Sequence, residues 1–477
     1  MTLPLNKSRV VALVVAAGLF MENMDQTVIA TSLPPMAVDL GTDPVALKLA
    51  FTSYLLSLAV FIPISGWTAD RFGARAVFQL AMVVFTLGSI GCGLSGSLAS
   101  LVVFRMLQGV GGAMMVPVAR LIILRLTPRA ELLQALTYLT LPALLGPVVG
   151  PPLGGFITTY WHWRWIFWIN VPVCLLGVAL AYAFLPEVRS DNRDKLDWFG
   201  FALSSIALCT LLFGITLLGR SSTSLVWTVL LLLVGAAASW LYVRHANQTA
   251  HPILDLRLLA NPTFRSGVGG GAFFRIGIGA VPFLLPLMLQ VGFGLNPFES
   301  GSLTFAAAAG AMIMKATAQP ILGRFGFRRV LLANGLISAG FMAATALFTP
   351  ATPHMLILLV LLVGGFLRSL QFTALNAITF ADIPDASLSS ATGLASVAQQ
   401  LSSSIGVALA AIVLEIAQTL HGGSALQTRD FAVAFVALAI VSALSVFVHS
   451  GLRPEAGGEM IGRPATSEPP ELQKRPQ

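Results

Sequence analysis

Long apolar runs, each about 20 residues in length, recur from one end of the chain to the other. A run of this length can cross the hydrocarbon core of a bilayer as an α-helix. The pattern predicts fourteen transmembrane helices joined by short polar loops. Their expected bounds are 10–31, 47–69, 76–96, 98–123, 133–158, 165–185, 198–218, 225–244, 267–290, 300–322, 328–349, 354–380, 388–417 and 430–449.

Composition and charge agree with a membrane protein. The 477 residues are 56% hydrophobic and 10% charged, whereas soluble domains contain about 25% charged residues. The net charge of +8 does not indicate nucleic-acid binding, because most basic residues lie in short loops. Of the 28 Lys and Arg residues, 19 lie on the face shared with the termini and 4 on the opposite face. The positive-inside rule therefore predicts cytoplasmic N and C termini. We expect a multi-pass protein of the inner (plasma) membrane.

A short repeat divides the predicted helices into two halves. "DRFGARAV" begins at Asp70 and "GRFGFRRV" begins at Gly323. Both contain Arg-Phe-Gly-x-Arg in an equivalent loop, if the seventh and eighth spans are an insertion. Duplicated halves are typical of transporters whose substrate site lies near the bilayer midplane. We expect two six-helix bundles at 1–195 and 246–450, two additional helices at 196–245, and a disordered cytoplasmic tail at 451–477.

Two carboxylates interrupt the first apolar run. Glu22 and Asp25 are three residues apart and so share one helix face. Intramembrane carboxylates are rare and usually functional. Burial and mutual repulsion make it difficult to ionise both, so one could bind a proton and release it when a cation arrives or the cavity changes side. This pattern predicts proton coupling, chiefly at Asp25. A structural ion pair between Asp25 and a base on another span is the alternative, and Glu22 could face a cavity without being essential.

The stretch "FRMLQGVGG" supplies a base within the fourth span. Arg105, Gly109 and Gly112 share one helix face, and the glycines allow another helix to approach closely. Arg105 next to a membrane carboxylate could help to time its protonation. The alternative is that Arg105 extends to the membrane interface, as long basic side chains near helix ends do.

The loop "GWTADRFGAR" is a second candidate element. Gly66 permits close helix approach and Gly73 permits a tight turn. Asp70 could pair with Arg71, Arg75 or a base on a neighbouring helix and so form a gate on the cytoplasmic side. The alternative is that the two arginines only anchor the loop at the cytoplasmic surface.

The fifth predicted helix contains "GPVVGPPLGG". Gly146, Gly150 and Gly154 recur every four residues along one face, and Gly155 follows. Pro151 and its neighbour Pro152 interrupt the backbone hydrogen bonds and should bend the helix. General packing of small residues is the alternative interpretation.

Together these stretches resemble the major facilitator superfamily, and within it the fourteen-helix drug:proton antiporter branch. The loop from Gly66 to Arg75 resembles the superfamily's loop signature, and Arg105 with Gln108-Gly109 resembles its fourth-helix motif. The Gly146–Gly155 stretch is similar to a fifth-helix motif associated with exporters, and "MDQTVIATSLP" is similar to a first-helix motif built around Asp25 and Thr27. Two positions depart from the family pattern: Ala74 stands where Lys or Arg is usual, and Glu22 lies outside the first-helix motif.

The resemblance covers roughly Val10 to Ser450. It implies the major facilitator fold, with two pseudo-symmetric six-helix bundles plus two extra helices. It also implies a proton-coupled exporter, an antiporter, of amphipathic small molecules or drugs, working by alternating access. Such a protein is not an enzyme and needs no cofactor, because the proton gradient supplies the energy. Its expected partners are the substrate, protons and the lipid bilayer. We expect a monomer.

The substrate is less well determined than the fold. Arg275, Lys315 and Arg368 lie within spans of the second half, and Gln371 and Gln399 are weaker cavity candidates. Positive charge opposite the first-half carboxylates would suit an anion or a zwitterion. A dedicated exporter of an endogenous anionic or zwitterionic metabolite or siderophore is therefore an alternative, and a non-transporting membrane sensor or scaffold is a remote one. No metal site is predicted, and the absence of GxxxxGK[ST] argues against ATP as the energy source.

Overall fold

The computed structural model describes residues 5–126, 132–187, 196–217, 225–249, 252–384, 387–422 and 426–458. The regular structure within these ranges is helical, without strands. Twelve helical segments in them are long and apolar enough to cross a membrane. The chain is therefore an all-α, multi-pass membrane protein.

The first half contains eight α-helices that form six rods. They are α1 (Leu5–Asp39), α2 (Lys48–Phe61), α3 (Ser65–Phe72), α4 (Ala74–Leu94), α5 (Leu98–Leu126), α6 (Leu132–Tyr160), α7 (Trp165–Trp168) and α8 (Asn170–Phe184). A short 3-10 turn joins α2 to α3, and α7 leads into α8. Helix α1 packs along α6 and contacts α5 and α8, while α5 packs against α2 and α4. This arrangement places α1 in the interior of the first bundle.

The second half repeats this plan after two intervening helices, α9 (Trp198–Leu217) and α10 (Leu225–Gln248). Its first rod is broken into α11 (Pro262–Arg265), α12 (Gly271–Gly279) and α13 (Val281–Leu287), with π-helical turns at Ser266–Gly270 and Met288–Gly292. The remaining helices are α14 (Pro297–Phe325), α15 (Phe327–Ala344), α16 (His354–Phe380), α17 (Leu388–Leu420), α18 (Thr428–Ala443) and α19 (Ser445–Ser450). Helix α14 packs on α16, α12 on α17 and α18, and α15 on α16 and α18.

The two bundles meet chiefly along two pairs of helices, and α1 also contacts α13 and α14. Helix α17 packs against α2, and α14 packs against α6. The intervening helices α9 and α10 pack on each other, and α9 also contacts α2 and α17. The Phe61 and Phe201 rings meet there with their centroids 6.1 Å apart. The inserted pair therefore lies beside the α2–α17 junction and is not part of either bundle.

The helix count agrees with the prediction at twelve of the fourteen positions. The two other predicted spans, 133–158 and 300–322, correspond to α6 and α14, each 29 residues long. These two are not among the twelve segments, so the total of fourteen stays a prediction. The start of α14 is fixed by a capping box, in which Asn296 and Glu299 each bond the other's backbone N–H.

The repeated loop has the same backbone geometry in both halves. Gly73 lies between α3 and α4 with φ +95°, and Gly326 lies between α14 and α15 with φ +78°. Residues with a Cβ rarely adopt this conformation, so the predicted tight turn at Gly73 is confirmed. The expected close helix approach at Gly66 is wrong, because a Cβ placed there would meet no described atom within 4 Å.

Part of the predicted disordered tail is included in the structure. Residues 451–458 form turns, and Leu452 is buried. A Cβ placed at Gly457 would contact Phe327 and Ile378, at the end of the second bundle. The prediction of disorder is therefore wrong for residues 451–458, because this part of the chain packs against the end of the second bundle. Residues 459–477 lie outside the described part of the chain.

Candidate functional site

An ion pair lies in the interior of the first bundle. Asp25 of α1 and Arg105 of α5 are 3% and 1% exposed, and Arg105 Nη1 donates to Asp25 Oδ2 at 2.5 Å. The predicted proximity of this base to the first-helix carboxylate is confirmed. The interfacial alternative for Arg105 is wrong, because the carboxylate holds the guanidinium within the bundle.

Two amides complete the coordination of the Asp25 carboxylate. Gln108 Nε2 and Asn170 Nδ2 donate to Asp25 Oδ1 at 2.9 and 2.8 Å. Ser89 Oγ accepts from the same two amide nitrogens, at 3.3 and 2.9 Å, and donates to Phe167 O. Four helices, α1, α4, α5 and α8, thus meet at one buried polar network. Buried polar groups are tolerated when they are hydrogen-bonded in this way.

Arg105 has partners besides the carboxylate. Its Nη1 also donates to Gln108 Oε1 at 2.7 Å, and its Nε donates to Ala50 O at 3.4 Å. Its guanidinium stacks over the Tyr54 ring, with Cζ 4.3 Å from the centroid. The cation therefore has a neutral hydrogen-bond acceptor and an aromatic face within reach of its present position.

Glycines bring these helices close enough for the network to form. A Cβ placed at Gly109 would lie 2.7 Å from Tyr54 O on α2, and one at Gly112 would lie 2.8 Å from Tyr54 Oη. A Cβ placed at Gly88 on α4 would lie 2.6 Å from the backbone nitrogen of Gln108. The expectation that the fourth-span glycines allow close approach is confirmed, and Gly88 adds a third such contact.

Glu22 lies one turn from Asp25 and has a different environment. It is 5% exposed, and Gln26 Nε2 donates to its Oε1 at a long 3.4 Å. Its Oε2 is buried and has no hydrogen-bond partner among the described residues. No base is paired with Glu22 in that part of the chain. The carboxylates of Glu22 and Asp25 thus differ, since Asp25 is fully coordinated and Glu22 is not.

The glycine-rich helix α6 packs on α1 within the first bundle and also contacts α14 of the second bundle. Gly146, Gly150 and Gly154 face α1, and a Cβ placed at Gly154 would lie 2.6 Å from Val28 O. Gly155 faces the second bundle instead, where its Cβ would lie 2.8 Å from Phe298 Cα on α14. The predicted shared face of the first three glycines is confirmed. Helix α6 runs through Pro151 and Pro152 without a break, and the predicted bend stays a prediction.

Contacts between the bundles close one end of the molecule. The backbone N–H of Phe298 donates to Thr159 Oγ1 at 3.0 Å, and Gln290 Nε2 donates to Thr31 O at 2.8 Å. Gly301 on α14 lies against the backbone of Pro151 on α6. This closed end is the one at which α6 ends and α14 begins.

The loop motif of the first half is anchored within its own bundle. Arg75 Nη1 donates to Leu185 O at 3.2 Å, and Arg75 Nε lies 3.7 Å from Glu187 Oε2. Arg71 is exposed. The side chain of Asp70 lies outside the described residues, so its predicted gate contact stays a prediction.

The basic residues of the second half lie in three separate places. Arg275 on α12 is 6% exposed and donates to Asn376 Oδ1 at 3.2 Å. Lys315 on α14 is exposed and donates to Thr373 Oγ1 at 2.9 Å. Arg368 on α16 lines an apolar cavity within the second bundle. The three do not form a single basic cluster.

The two amide candidates also have different positions. Gln371 is fully buried, donates to Leu331 O at 3.0 Å and accepts from Asn334 at 2.9 Å. Its assignment to a substrate cavity is therefore wrong, because its amide is used to join α15 and α16. Gln399 on α17 is exposed.

Four residues of the network were missing from the predicted site. They are Tyr54, Ser89, Gln108 and Asn170, of which Gln108 had been noted only as part of the fourth-helix motif. Asn170 had a visible signal, since it is an amide inside the apolar sequence "WINVPVC". Ser89 and Tyr54 had none, because small hydroxyls and single aromatic residues are common in membrane helices. The described residues include no group of three His, Cys, Asp or Glu side chains that could hold a metal ion.

Comparison with known proteins gives the family. A family model described as Major Facilitator Superfamily matches residues 15–243 and 268–472. The chain belongs to this superfamily. It is a transporter by family and fold, and not an enzyme.

Individual relatives agree with this assignment. A Salmonella paratyphi B protein named "Putative multidrug resistance protein MdtD" is 39% identical over 456 residues, which cover 94% of this chain and 96% of that protein. Its Salmonella typhimurium counterpart of the same name is also 39% identical, with the same coverage.

Two solved structures share the fold at low sequence identity. A D-xylose–proton symporter has a TM-score of 0.68 at 16% identity and covers 94% of this chain and 98% of its own. The human organic anion transporter MFSD10 has a TM-score of 0.60 at 15% identity, with coverage of 94% and 100%. At these identities the likeness shows the fold alone.

Proposed function

We propose that this transporter is a proton-coupled exporter of amphipathic small molecules, including drugs. The observation that supports this best is the buried Asp25–Arg105 pair, held by amides from two helices in the interior of a bundle. A buried ion pair is costly to maintain in an apolar medium. Such a pair in the interior of a bundle suits a group that changes its charge during transport. The names of the 39% identical relatives are consistent with drugs as substrates.

The network allows Asp25 to accept a proton without leaving Arg105 isolated. When Asp25 is ionised, its charge balances that of Arg105. When a proton binds at Oδ2, Arg105 Nη1 can keep Gln108 Oε1, which already lies 2.7 Å away, and the Tyr54 ring. Asp25 Oδ1 can still accept from Asn170. Protonation therefore loosens the link between α1 and α5 while the surrounding hydrogen bonds persist.

Helix packing offers a path from this proton site to the closed end. Helix α1 packs along the glycine face of α6, and α6 contacts α14 through Gly155. A shift of α1 relative to α5 would act on the α6–α14 contact that closes the molecule. Rocking of the two bundles about a midplane site would then expose that site to each side in turn.

Glu22 is proposed as a second proton-binding group. It is buried beside Asp25, with one oxygen unpartnered in the described structure and no base beside it. A carboxyl group in such a place is most easily accommodated in its protonated form. Glu22 could pass a proton to Asp25, one helical turn away.

The remaining features of the proposal concern topology. We propose fourteen spans, with α6 and α14 crossing as well as the twelve apolar segments. Both termini would be cytoplasmic and the protein would lie in the inner membrane as a monomer. The bundles would comprise 1–195 and 246–450, with two helices between them and a cytoplasmic tail. Protons, the substrate and the bilayer are the expected partners, and no cofactor is required.

Inverted membrane vesicles with a respiration-driven pH gradient test the proposal. Candidate compounds are added while a pH-sensitive dye reports proton release, and wild type is compared with Asp25→Asn. We expect some compounds to collapse the gradient in wild-type vesicles only. Equal responses from both proteins would contradict coupling through Asp25. Ser97→Ala, a change in an exposed hydroxyl at the α4–α5 turn, is the matched control and should behave as wild type.

The position of Arg368 favours a second candidate function. A cation that lines an apolar cavity suits an anionic or zwitterionic metabolite better than a cationic drug. The same vesicles, tested with anionic, zwitterionic and cationic compounds, distinguish a dedicated metabolite exporter from a drug exporter by which class releases protons.

A further inference from the structure

The two halves can be aligned rod by rod, with a shift of 253 residues in the first three rods, 263 in the fourth and 265 in the sixth. A shift of 253 residues matches Gly73 with Gly326, and it also matches the ends of the two first rods, Asp39 and Gly292. The sequence Arg-x-x-Gln occurs in α5 as Arg105–Gln108 and in the corresponding α16 as Arg368–Gln371. An arginine also lies at the start of each sixth rod, as Arg164 just before α7 and Arg429 in the first turn of α18, which corresponds to a shift of 265 residues. These matches define the counterpart of each residue in the Asp25 network.

The second half keeps the arginine of the network and loses its polar partners. The counterparts are Ile278 for Asp25, Ala307 for Tyr54, Met342 for Ser89 and Phe435 for Asn170. All four of these residues line the same cavity as Arg368. Gln371, the counterpart of Gln108, faces Asn334 and Leu331 instead. The cavity is thus the second-half equivalent of the proton site, without its acid.

The cavity leaves Arg368 without a counter-charge. About 40 Å³ of it can be occupied by the centre of a water-sized molecule, which is room for a carboxylate group or a few waters, since one water needs about 10–15 Å³ by this measure. Arg368 is the one charged residue in its lining, which is otherwise mainly apolar. In the ranges that the structure describes, the Arg368 side chain makes no hydrogen bond and no ion pair. An unpaired guanidinium in such surroundings favours an anionic ligand.

The mouth of the cavity lies between α15 and α16. Phe341, Val360 and Gly364 line the cavity and are partly exposed. One helical turn away on the same faces, Ile337 is 50% exposed and Leu356 is 48% exposed. An apolar exposed surface on a membrane helix faces the acyl chains of the bilayer. A ligand at Arg368 could therefore extend an apolar tail toward the lipid.

We infer that this cavity binds the acidic group of an amphipathic substrate, which supplies to Arg368 the negative charge that Asp25 supplies to Arg105 in the other half. The ligand class is an amphipathic acid, in which a single acidic head group is joined to an apolar tail. This inference rests on the proposed function, because it names the substrate class of the exporter.

Binding of radiolabelled decanoate to the full-length protein in phosphatidylcholine nanodiscs tests the inference. Decanol, with the same chain length and no charge, is the matched competitor. Arg368→Gln removes the charge, Arg368→Lys retains it, and Ile278→Asp places a carboxylate at the counterpart of Asp25. Arg244→Gln is the control, since Arg244 is exposed and stacks on Trp240 in α10, away from the cavity.

We expect saturable decanoate binding that decanol displaces poorly. Arg368→Gln should weaken it about 10-fold or more, the scale of a hydrogen bond to a charged group. Ile278→Asp should weaken it similarly by pairing with Arg368, Arg368→Lys should retain part of it, and Arg244→Gln should match wild type. Decanoate export from vesicles should fall with Arg368→Gln. Equal affinity in wild type and Arg368→Gln would overturn the inference.

Further outcomes show whether the ligand is a substrate or a membrane lipid, and whether this inference fails alone or together with the proposed function. Displacement of decanoate by anionic phosphatidylglycerol, with no decanoate transport, would identify a phospholipid site and overturn the substrate assignment. Asp25-dependent proton release by other compounds, without decanoate binding, would overturn this inference and leave the proposed function standing. If no compound causes Asp25-dependent proton release, the proposed function fails and the substrate assignment fails with it.

Discussion

The buried pair of Asp25 and Arg105 leads to a prediction about stability that does not depend on knowing the substrate. Asp25→Asn removes the negative charge and leaves Arg105, 1% exposed, without a counter-ion. It also turns an amide N–H toward Arg105 or toward the amides of Gln108 and Asn170. Arg105→Gln leaves the Asp25 carboxylate buried with amide donors only. The double variant removes both charges, so that neutral groups can hydrogen-bond with one another.

The structure sets the expected magnitude. Loss of one partner of a buried pair typically costs about 3–5 kcal/mol. Here each remaining partner keeps two or more hydrogen bonds, so we expect about 3 kcal/mol for each single variant. The double variant should cost no more than either single variant, because it contains no unpaired charge. The interaction energy of the cycle should then be about 3 kcal/mol, at the upper end of values for contacting residues.

The apparent melting temperatures of wild type, the two single variants and the double variant, all purified in one detergent, measure this interaction energy. The ion pair of Asp39 and Arg164 is the control, since its N–O distance of 2.6 Å is similar but its side chains are 37% and 29% exposed. An exposed pair should give an interaction energy of about 0.2–1 kcal/mol. If the double variant of the buried pair lowers the melting temperature by the sum of the decreases in the two single variants, the reasoning is refuted.

Three further predictions follow from the geometry of α1, α6 and the repeated loop. Glu22→Gln should preserve the melting temperature, because the substituted amide can keep the contact with Gln26. It should slow proton release in the vesicle assay, and unchanged release over the whole pH range would contradict a role for Glu22. Gly155→Leu should destabilise the closed end by about 1–3 kcal/mol through overpacking against Phe298, which lowers the population of molecules closed at this end about 5-fold or more. Distances between spin labels at the ends of α6 and α14 measure this population. Gly340→Ala, with open space around it, should leave the distances unchanged. Gly73→Ala should lower the free energy of unfolding by about 1–3 kcal/mol because Gly73 has a φ of +95°. Gly326→Ala should lower it to a similar extent. A melting temperature equal to that of Gly340→Ala would show that the turn tolerates a side chain.

The apolar pattern predicted the helices well because one rule dominates in a bilayer. Backbone groups must be hydrogen-bonded within the segment, so an apolar run of sufficient length becomes a helix. The pattern did not predict the breaks within the rods. The π-helical turns at Ser266–Gly270 and Met288–Gly292 flank a sequence that is apolar except for Arg275. Such local changes depend on packing against neighbours, for example Gly270 against His449.

The candidate site was predictable where charge was involved. Asp25 and Arg105 were identified separately as charges inside apolar runs, and opposite charges in a membrane tend to pair. The neutral members of the network were not predictable in the same way. An amide in a membrane helix can bond its own backbone, a neighbour or a cavity ligand, and Gln371 and Asn170 show two of these outcomes. Only the three-dimensional register decides between them.

The comparison of the two halves suggests why the exporter needs both of them. In the first half, Arg105 has an internal acid that can gain or lose a proton. In the second half, Arg368 has no internal acid, and on our inference it takes one from the substrate. An anion moving outward in exchange for one inward proton moves two charges in the same electrical sense. Each charge gains about 2.3 kcal/mol per 100 mV, so such an exchange gains about 4.6 kcal/mol, twice that for a neutral substrate. A first half specialised for protons and a second half specialised for acids would therefore let the membrane potential drive both steps of the cycle.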